Sequence, residues 1–402
     1  MFSHKLKWLE SNIWKYFIIL FTGRRNFIPI LSIYYLSLPD TKAQEIGFYT
    51  AAWYAISLIF QIPAGIIGDR LGNKTTIVIA KICLLVSSIM FVIGGNFRFF
   101  LIGSLLMSLG MDAFSTGNTS AFLHDTLTNL KMEDKFKRIS SSIRGWVSFL
   151  SIFFIVALPF FTQISLKFPF MIWLGIDIVW LIVAFSLFPA RGNTEKHERM
   201  TFSNFKSTIK ESRWSGLLSI MVFSAIIAAF LMVDGSFRSP YLTSLGYPII
   251  YIGFVMGLSR LVWFLVGRYA HKIENILPFK KLILAEIFLF SLYYMSASFI
   301  SNPYLVGIIF SLVTGYFWWR SEIYTDHIIN LIPGKKYKST ILSIKWQIGW
   351  IIQVIIMLTI GIIMNDSYKL WFLIMGITLF VSLMTTYLFF IKKNLGRNEK
   401  GK

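Results

Sequence analysis

Gly65-Ile66-Ile67-Gly68-Asp69-Arg70-Leu71-Gly72-Asn73-Lys74 joins two apolar segments, Ile46 to Gly68 and Thr75 to Gly94. Each is long enough to cross roughly 30 Å of hydrocarbon. A charged join this short has few possible tasks. Gly65 and Gly68 remove side chains where two helices must approach closely. Gly72 supplies the positive φ that a tight reversal demands. Asp69 is placed to cap a neighbouring helix N-terminus, whose partial positive charge favours an anion. Arg70 and Lys74 hold the join on the cytoplasmic side.

The rest of the chain carries the same pattern. Its 402 residues are 55% hydrophobic and 17% aromatic, with a mean hydropathy of +0.65, too apolar for a soluble core of this size. A net charge of +20 is compatible with nucleic-acid binding in a soluble protein, but here the basic residues fall in alternate loops between apolar segments. No nucleic-acid partner is expected. Cys83, the single cysteine, lies inside an apolar segment, so no disulfide framework is expected. No small-residue cleavage site follows the first apolar segment, which is expected to remain as a span.

Twelve spans are predicted. The first runs from Ile13 to Leu38 and is interrupted by Gly23-Arg24-Arg25-Asn26. Neither half alone crosses a bilayer, so both arginines are expected within one helix. Spans 2 to 6 cover Ile46 to Gly68, Thr75 to Gly94, Phe97 to Leu123, Ser141 to Phe161 and Phe168 to Phe188. The second set covers 215–237, 247–268, 281–300, 303–327, 341–364 and 370–391. The division is therefore an N-terminal six-helix bundle (1–190), a polar cytoplasmic loop (191–214) and a C-terminal six-helix bundle with a basic tail (215–402). Phe202, Phe205 and Ile209 have helical spacing suited to lying along a membrane surface. With both termini inside, only Lys42, Arg98, Lys167, Arg238 and Lys369 fall in outer loops, as the positive-inside bias requires.

An internal repeat supports the two halves. Displaced by 201 residues, Asp125, Asn129, Leu130, Lys137, Ser142 and Ile143 meet Asp326, Asn330, Leu331, Lys338, Ser343 and Ile344. The signature join has only a degenerate second copy, Gly267-Arg268-Tyr269-Ala270-His271-Lys272.

Written as G-x-x-x-D-R-x-G-x-K, the join resembles the loop between helices 2 and 3 of the major facilitator superfamily of transporters. Further stretches are similar to a bacterial subgroup of that family: Gln61-Ile62-Pro63-Ala64-Gly65, then Ser115-Thr116-Gly117 through Ala121-Phe122-Leu123-His124-Asp125-Thr126-Leu127, and Asn330 with Lys338-Ser339-Thr340-Ile341-Leu342-Ser343. The resemblance implies an all-α fold of two pseudo-symmetric bundles. It also implies a monomer in the cytoplasmic membrane, no enzymatic activity and no cofactor beyond a proton gradient. There are departures. Gln61 replaces an acid, and Asn73 stands where the family has a basic residue that can pair with an acid at the end of span 4, here Asp125. Closing that pair would fall to Lys74 or Arg70. Leu106 occupies the position of an arginine typical of drug antiporters, and span 5 lacks their Gly-Pro-x-x-Gly-Gly run.

Charges inside a bilayer are expensive, which makes them functional candidates. Lys81, Arg144, Glu286 and Lys345 lie near cytoplasmic ends, where long side chains can reach water. The deep set is Arg24 and Arg25 in span 1, Asp112 in span 4, Asp177 in span 6, Asp234 in span 7, Arg260 in span 8, and Arg320 with Glu322 in span 10. In the family resembled, spans 1, 4, 7 and 10 line the central cavity, which assigns Arg24, Arg25, Asp112, Asp234, Arg320 and Glu322 to a substrate and proton site. The conformational-switch set is Gly65, Gly68, Asp69, Arg70, Gly72, Lys74 and Asp125. An ion pair between the span 1 arginines and Asp112 is expected. Protonation of Asp112 would release the arginine to substrate, unless the pair only fixes helix packing. Asp177 is read as a hydrogen-bonded helix contact. No metal cluster, nucleophile triad or G-x-x-x-x-G-K-[ST] loop occurs. Proton-coupled export of a small amphiphilic or organic compound is the leading expectation. The alternatives are uptake or translocation of an anionic solute or lipid headgroup, and a non-transporting sensor with the same fold.

Overall fold

The computed structural model describes residues 2–116, 118–190, 216–268, 278–331, 338–363 and 367–391. The central loop with its Phe202, Phe205 and Ile209 stripe lies outside these residues, as do positions 269–272 of the degenerate join and the side chains of Asp69 and Glu322. Every regular element among the described residues is helical. The chain separates into two compact units, Met1–His197 with Pro248–Phe254, and Glu198–Tyr247 with Val255–Lys402.

In the first unit, α1 (Phe2–Thr22) and α2 (Ile28–Leu36) together occupy the first predicted span. Then come α3 (Ala43–Leu71), α4 (Asn73–Ile93), α5 (Phe97–Ser108), a π-helical turn (Leu109–Phe114) and α6 (Asn118–Asn129). The unit continues with α7 (Phe136–Ala157) and α8 (Phe168–Phe185). Local chemistry starts these helices. The Glu45 carboxylate accepts from the Lys42 backbone N–H at 2.8 Å, closing the first turn of α3. Asn96 caps α5 through Arg98 N–H at 3.0 Å. The join between α3 and α4 shrinks to one residue, Gly72, at φ +86°.

In the second unit, α9 (Leu217–Asp234) and α10 (Arg238–Ser244) form another broken span. They are followed by α11 (Ile252–Arg268), α12 (Phe279–Phe299), α13 (Pro303–Leu331), α14 (Lys338–Ile363) and α15 (Tyr368–Thr386). Among the described residues, nine segments are apolar and long enough to cross a membrane by themselves. The remaining three predicted spans correspond to α1 with α2, to α13 and to α14, whose apolar run is Ile344–Ile360.

Lipid offers no hydrophobic drive between helices, so packing rests on small residues, polar contacts and shape. A Cβ on Gly110 would meet Ala80 O at 2.8 Å, and one on Gly315 would meet Ser259 O at 2.6 Å. These glycines set how closely α4 meets the π-turn and α11 meets α13. Gly68 faces the Asn118 side chain of α6, which a Cβ there would displace. Gly65 faces open space, contrary to its expected role. Large apolar side chains remain exposed along α7 (Trp146, Phe149, Phe153) and α8 (Ile178, Ile182, Phe185). On a multi-pass protein such faces meet acyl chains.

Candidate functional site

The expectation that Arg24 and Arg25 share one continuous helix is overturned. α1 ends at Thr22, α2 begins at Ile28, and Arg25 takes φ +46°. That backbone region costs a non-glycine residue about 1–3 kcal/mol and persists only where surrounding contacts impose it. The contacts are present. Arg25 Nη1 donates to Asp177 Oδ2 at 2.5 Å and to Ser88 Oγ at 3.1 Å. Ser88 Oγ in turn donates to Asp177 Oδ2 at 2.5 Å. Both ionic side chains are essentially inaccessible, at 0% and 1%. Asp177 is therefore a helix contact, as expected, but as half of an ion pair. Lys81, expected at an interface, is buried instead. Its Nζ donates to Ile19 O and Thr22 Oγ1, each at 3.0 Å, which places a cation at the C-terminal end of α1, the negative end of its dipole.

The left-handed turn sends the two arginines to different surroundings. Arg25 is enclosed among α2, α4 and α8, whereas Arg24 is exposed. Among the described residues no carboxylate lies within ion-pair reach of Arg24.

The expected pair between these arginines and Asp112 does not form. Asp112 sits in the π-turn and faces α3. Its Oδ2 accepts from Trp53 Nε1 at 2.6 Å and from Ser57 Oγ at 2.8 Å. Ser57 also meets Ser108 Oγ at 2.9 Å. Among the described residues the carboxylate has neutral donors and no counter-ion. Trp53 and Ser57 were not singled out from the sequence, although their four-residue spacing puts them on one face of α3.

At the join, Asn73 Nδ2 donates to Asp125 Oδ2 at 2.8 Å. The contact expected of Lys74 or Arg70 is thus kept in neutral form by the residue that replaces the family's basic one. Arg70 is exposed and Lys74 half-buried.

Among the described residues the second unit has two buried ionic clusters. Asp234, the last residue of α9, accepts from Arg238 Nε at 2.7 Å and from Tyr293 Oη at 2.5 Å. Arg238, counted from sequence as an outer-loop residue, is buried, and its Nη2 also donates to Leu231 O at 3.0 Å. The spacing Asp-x-x-x-Arg was legible, but the break in the span hid it. Glu286, expected at an interface, is buried in a bidentate pair with Arg320, both bonds at 2.8 Å. Tyr316 and Tyr324 donate to the same carboxylate at 2.7 and 2.6 Å. The Arg320 guanidinium lies 3.9 Å from the Tyr324 ring centroid. This saturation makes Arg320 a structural residue rather than a free ligand site.

Comparison with known proteins agrees with this arrangement of helices. The chain is 25% identical over 239 residues to a protein of Buchnera aphidicola subsp. Schizaphis graminum (strain Sg) described as an uncharacterized transporter, covering 58% of this chain and 57% of that one. Over 95 residues it is 33% identical to the quinolone resistance protein NorA of Staphylococcus aureus, covering 23% of this chain and 24% of NorA. The chain thus spans a little over half of the first relative and about a quarter of the second. In fold it resembles the nucleoside transporter NupG, with a TM-score of 0.76 at 13% identity over 95% of this chain and 99% of that one. A D-xylose–proton symporter gives a TM-score of 0.66 at 12% identity over 96% and 97% of the two chains. The family profile described as Major Facilitator Superfamily matches residues 16–344, and the chain belongs to that superfamily of membrane transporters.

Proposed function

We propose that the protein is a twelve-span secondary transporter of the cytoplasmic membrane. It acts as a monomer with both termini inside and exports a small amphiphilic or organic solute by alternating access, driven by an inward proton gradient. One observation carries the coupling: the Asp112 carboxylate stands in a π-turn, held by Trp53 and Ser57 and, among the described residues, by no cation. A π-turn inside an α-helix is costly and recurs at functional positions. An intramembrane carboxylate without a counter-ion is a group that one proton neutralises.

Protonation removes the charge on which the Trp53 and Ser57 hydrogen bonds converge, weakening the hold between α3 and the π-turn. α3 meets the same polypeptide segment again near its other end, through Gly68 against Asn118, and the first residue of α4 does so through Asn73 against Asp125. Proton state and the closure of the join thereby act on successive parts of one segment, the π-turn and α6, against α3 and α4. Export is favoured over uptake by the stretch shared with NorA, a drug-resistance protein. The protonation switch first expected at an arginine–Asp112 pair is here assigned to Asp112 with its neutral donors.

The test is accumulation of fluorescent amphiphiles and radiolabelled metabolites in efflux-deficient bacteria carrying wild type, Asp112→Asn or empty vector, each with and without a protonophore. Lowered accumulation by wild type, erased by both the substitution and the protonophore, is the expected result. Transport by Asp112→Asn equal to wild type removes Asp112 from coupling, and raised accumulation by wild type reverses the direction.

A further inference from the structure

Resting on the transport function proposed above, we infer that Arg24 and Arg144 form the subsite for an oxyanion, a carboxylate or phosphate group carried by the transported solute. Three observations within the first unit converge on it.

The first is the division of labour at the break in span 1. Arg25 is paired through Nη1 with Asp177 and Ser88, and Lys81 is hydrogen-bonded to the buried last turn of α1. Arg24 alone has no hydrogen-bond or ionic partner among the described residues, although it sits midway along the span. A structural arginine at that depth is expected to be paired, as Arg25, Arg238 and Arg320 are.

The second is Arg144 on α7. It is exposed and, among the described residues, hydrogen-bonded only to hydroxyls, Ser120 Oγ at 3.1 Å and Ser140 Oγ at 3.4 Å. These donate no charge to neutralise it. They anchor the guanidinium to α6 and to the preceding turn of α7, which reduces the ordering that a ligand must impose.

The third is proximity. α1 packs against both α6 and α7; Leu20, one turn before Arg24, and Ile143, beside Arg144, both pack against the apolar cluster of Tyr16, Leu123 and Leu127, which places the two guanidinium groups in the same region of the unit. Two guanidinium groups held near each other without an intervening carboxylate repel, and an oxyanion between them removes that repulsion. Guanidinium forks match the two-oxygen edge of carboxylate and phosphate. A cationic or zwitterionic solute lacking such an edge meets only repulsion here.

Purified full-length protein in detergent at low ionic strength is titrated with inorganic phosphate, benzoate, glycerol 3-phosphate and dihexanoyl phosphatidic acid, with apparent Tm and Kd as readouts. Glucose and tetraethylammonium chloride serve as neutral and cationic controls. At least one anion raises Tm, and Arg24→Gln or Arg144→Gln weakens its Kd by about tenfold or more. Arg24→Lys restores part of the loss. Stabilisation by phosphatidic acid alone identifies a lipid headgroup, and stabilisation by the water-soluble anions identifies a free metabolite.

The inference is overturned if no anion stabilises wild type, if the controls stabilise it equally, or if Arg24→Gln and Arg144→Gln both bind anions as wild type does. Asp112→Asn is the separating variant. Anion binding retained in Asp112→Asn together with lost proton coupling supports both assignments. Coupling that survives the substitution overturns only the assignment of Asp112, and unchanged anion binding in both arginine variants overturns only the oxyanion site.

Discussion

The two units break a helix in corresponding spans and secure the break in different ways. Between α9 and α10 the pair is local: Asp234 ends one helix, Arg238 begins the next, and they meet four residues apart. Tyr293 of α12 adds one hydrogen bond. Between α1 and α2 the pair is long-range. Arg25 reaches Asp177 on α8 and Ser88 on α4, 152 and 63 residues away in sequence. A local pair fixes the angle between two half-helices with little reference to the surrounding bundle. A long-range pair ties the hinge to two other helices, so a displacement of α4 or α8 acts directly on the hinge.

The leftovers differ too. At the second break both ionic residues are used. At the first, a spare cation remains. A paired cation gives shape, whereas an unpaired one can take a ligand without first giving up a partner.

This contrast can be broken in three places. The largest effect is expected for Arg25→Ala, which strands a buried Asp177 without its cation and removes the contact that holds the left-handed turn. A loss of about 3–5 kcal/mol is expected, read as a large drop in apparent Tm and in folded yield from detergent. If Arg25→Ala melts with wild type, the pair does not hold the break. Arg238→Ala comes next, at about 2–3 kcal/mol: Asp234 keeps the Tyr293 hydroxyl as Asp177 keeps Ser88, but Arg238 holds no left-handed turn in place. A loss equal to that of Arg25→Ala would erase the distinction between local and long-range pairing. The smallest is Arg24→Ala, one position from the largest. Exposed and unpaired, it should shift stability by no more than about 0.5 kcal/mol. A large loss in the same melt would show that Arg24 is structural and that its neighbours hold it.

The sequence singles out the deep charges but misplaces several of their partners. The Arg24-Arg25 doublet drew attention because charge in a span is costly, yet nothing in a doublet states which member is buried. One positive φ angle decides that, and the angle depends on Asp177, a residue far along the chain. Asp112 was legible as a deep carboxylate, but its donors Trp53 and Ser57 look like ordinary members of an apolar helix until α3 and the π-turn are laid together. Glu286 and Lys81 were assigned to interfaces because depth was judged by distance from a span end. The helices they occupy are covered by neighbours, and burial follows the neighbours rather than the position along the span. Asn73 shows the opposite case. Its substitution for a basic residue was visible, and so was its counterpart Asp125; only the hydrogen bond that keeps the contact was not.

The order of apolar segments, the charge bias of the loops, the repeat and the tight reversal at Gly72 were determined by the sequence alone. Each rests on local chemistry or on the thickness of a bilayer, which neighbouring residues suffice to specify. Which charges are paired and which are free was decided only by tertiary structure. Ion pairing inside a membrane protein depends on which helix faces are brought together, and facing helices are far apart in the chain. The same physics made Arg25 part of the scaffold and left its neighbour Arg24 available to a ligand.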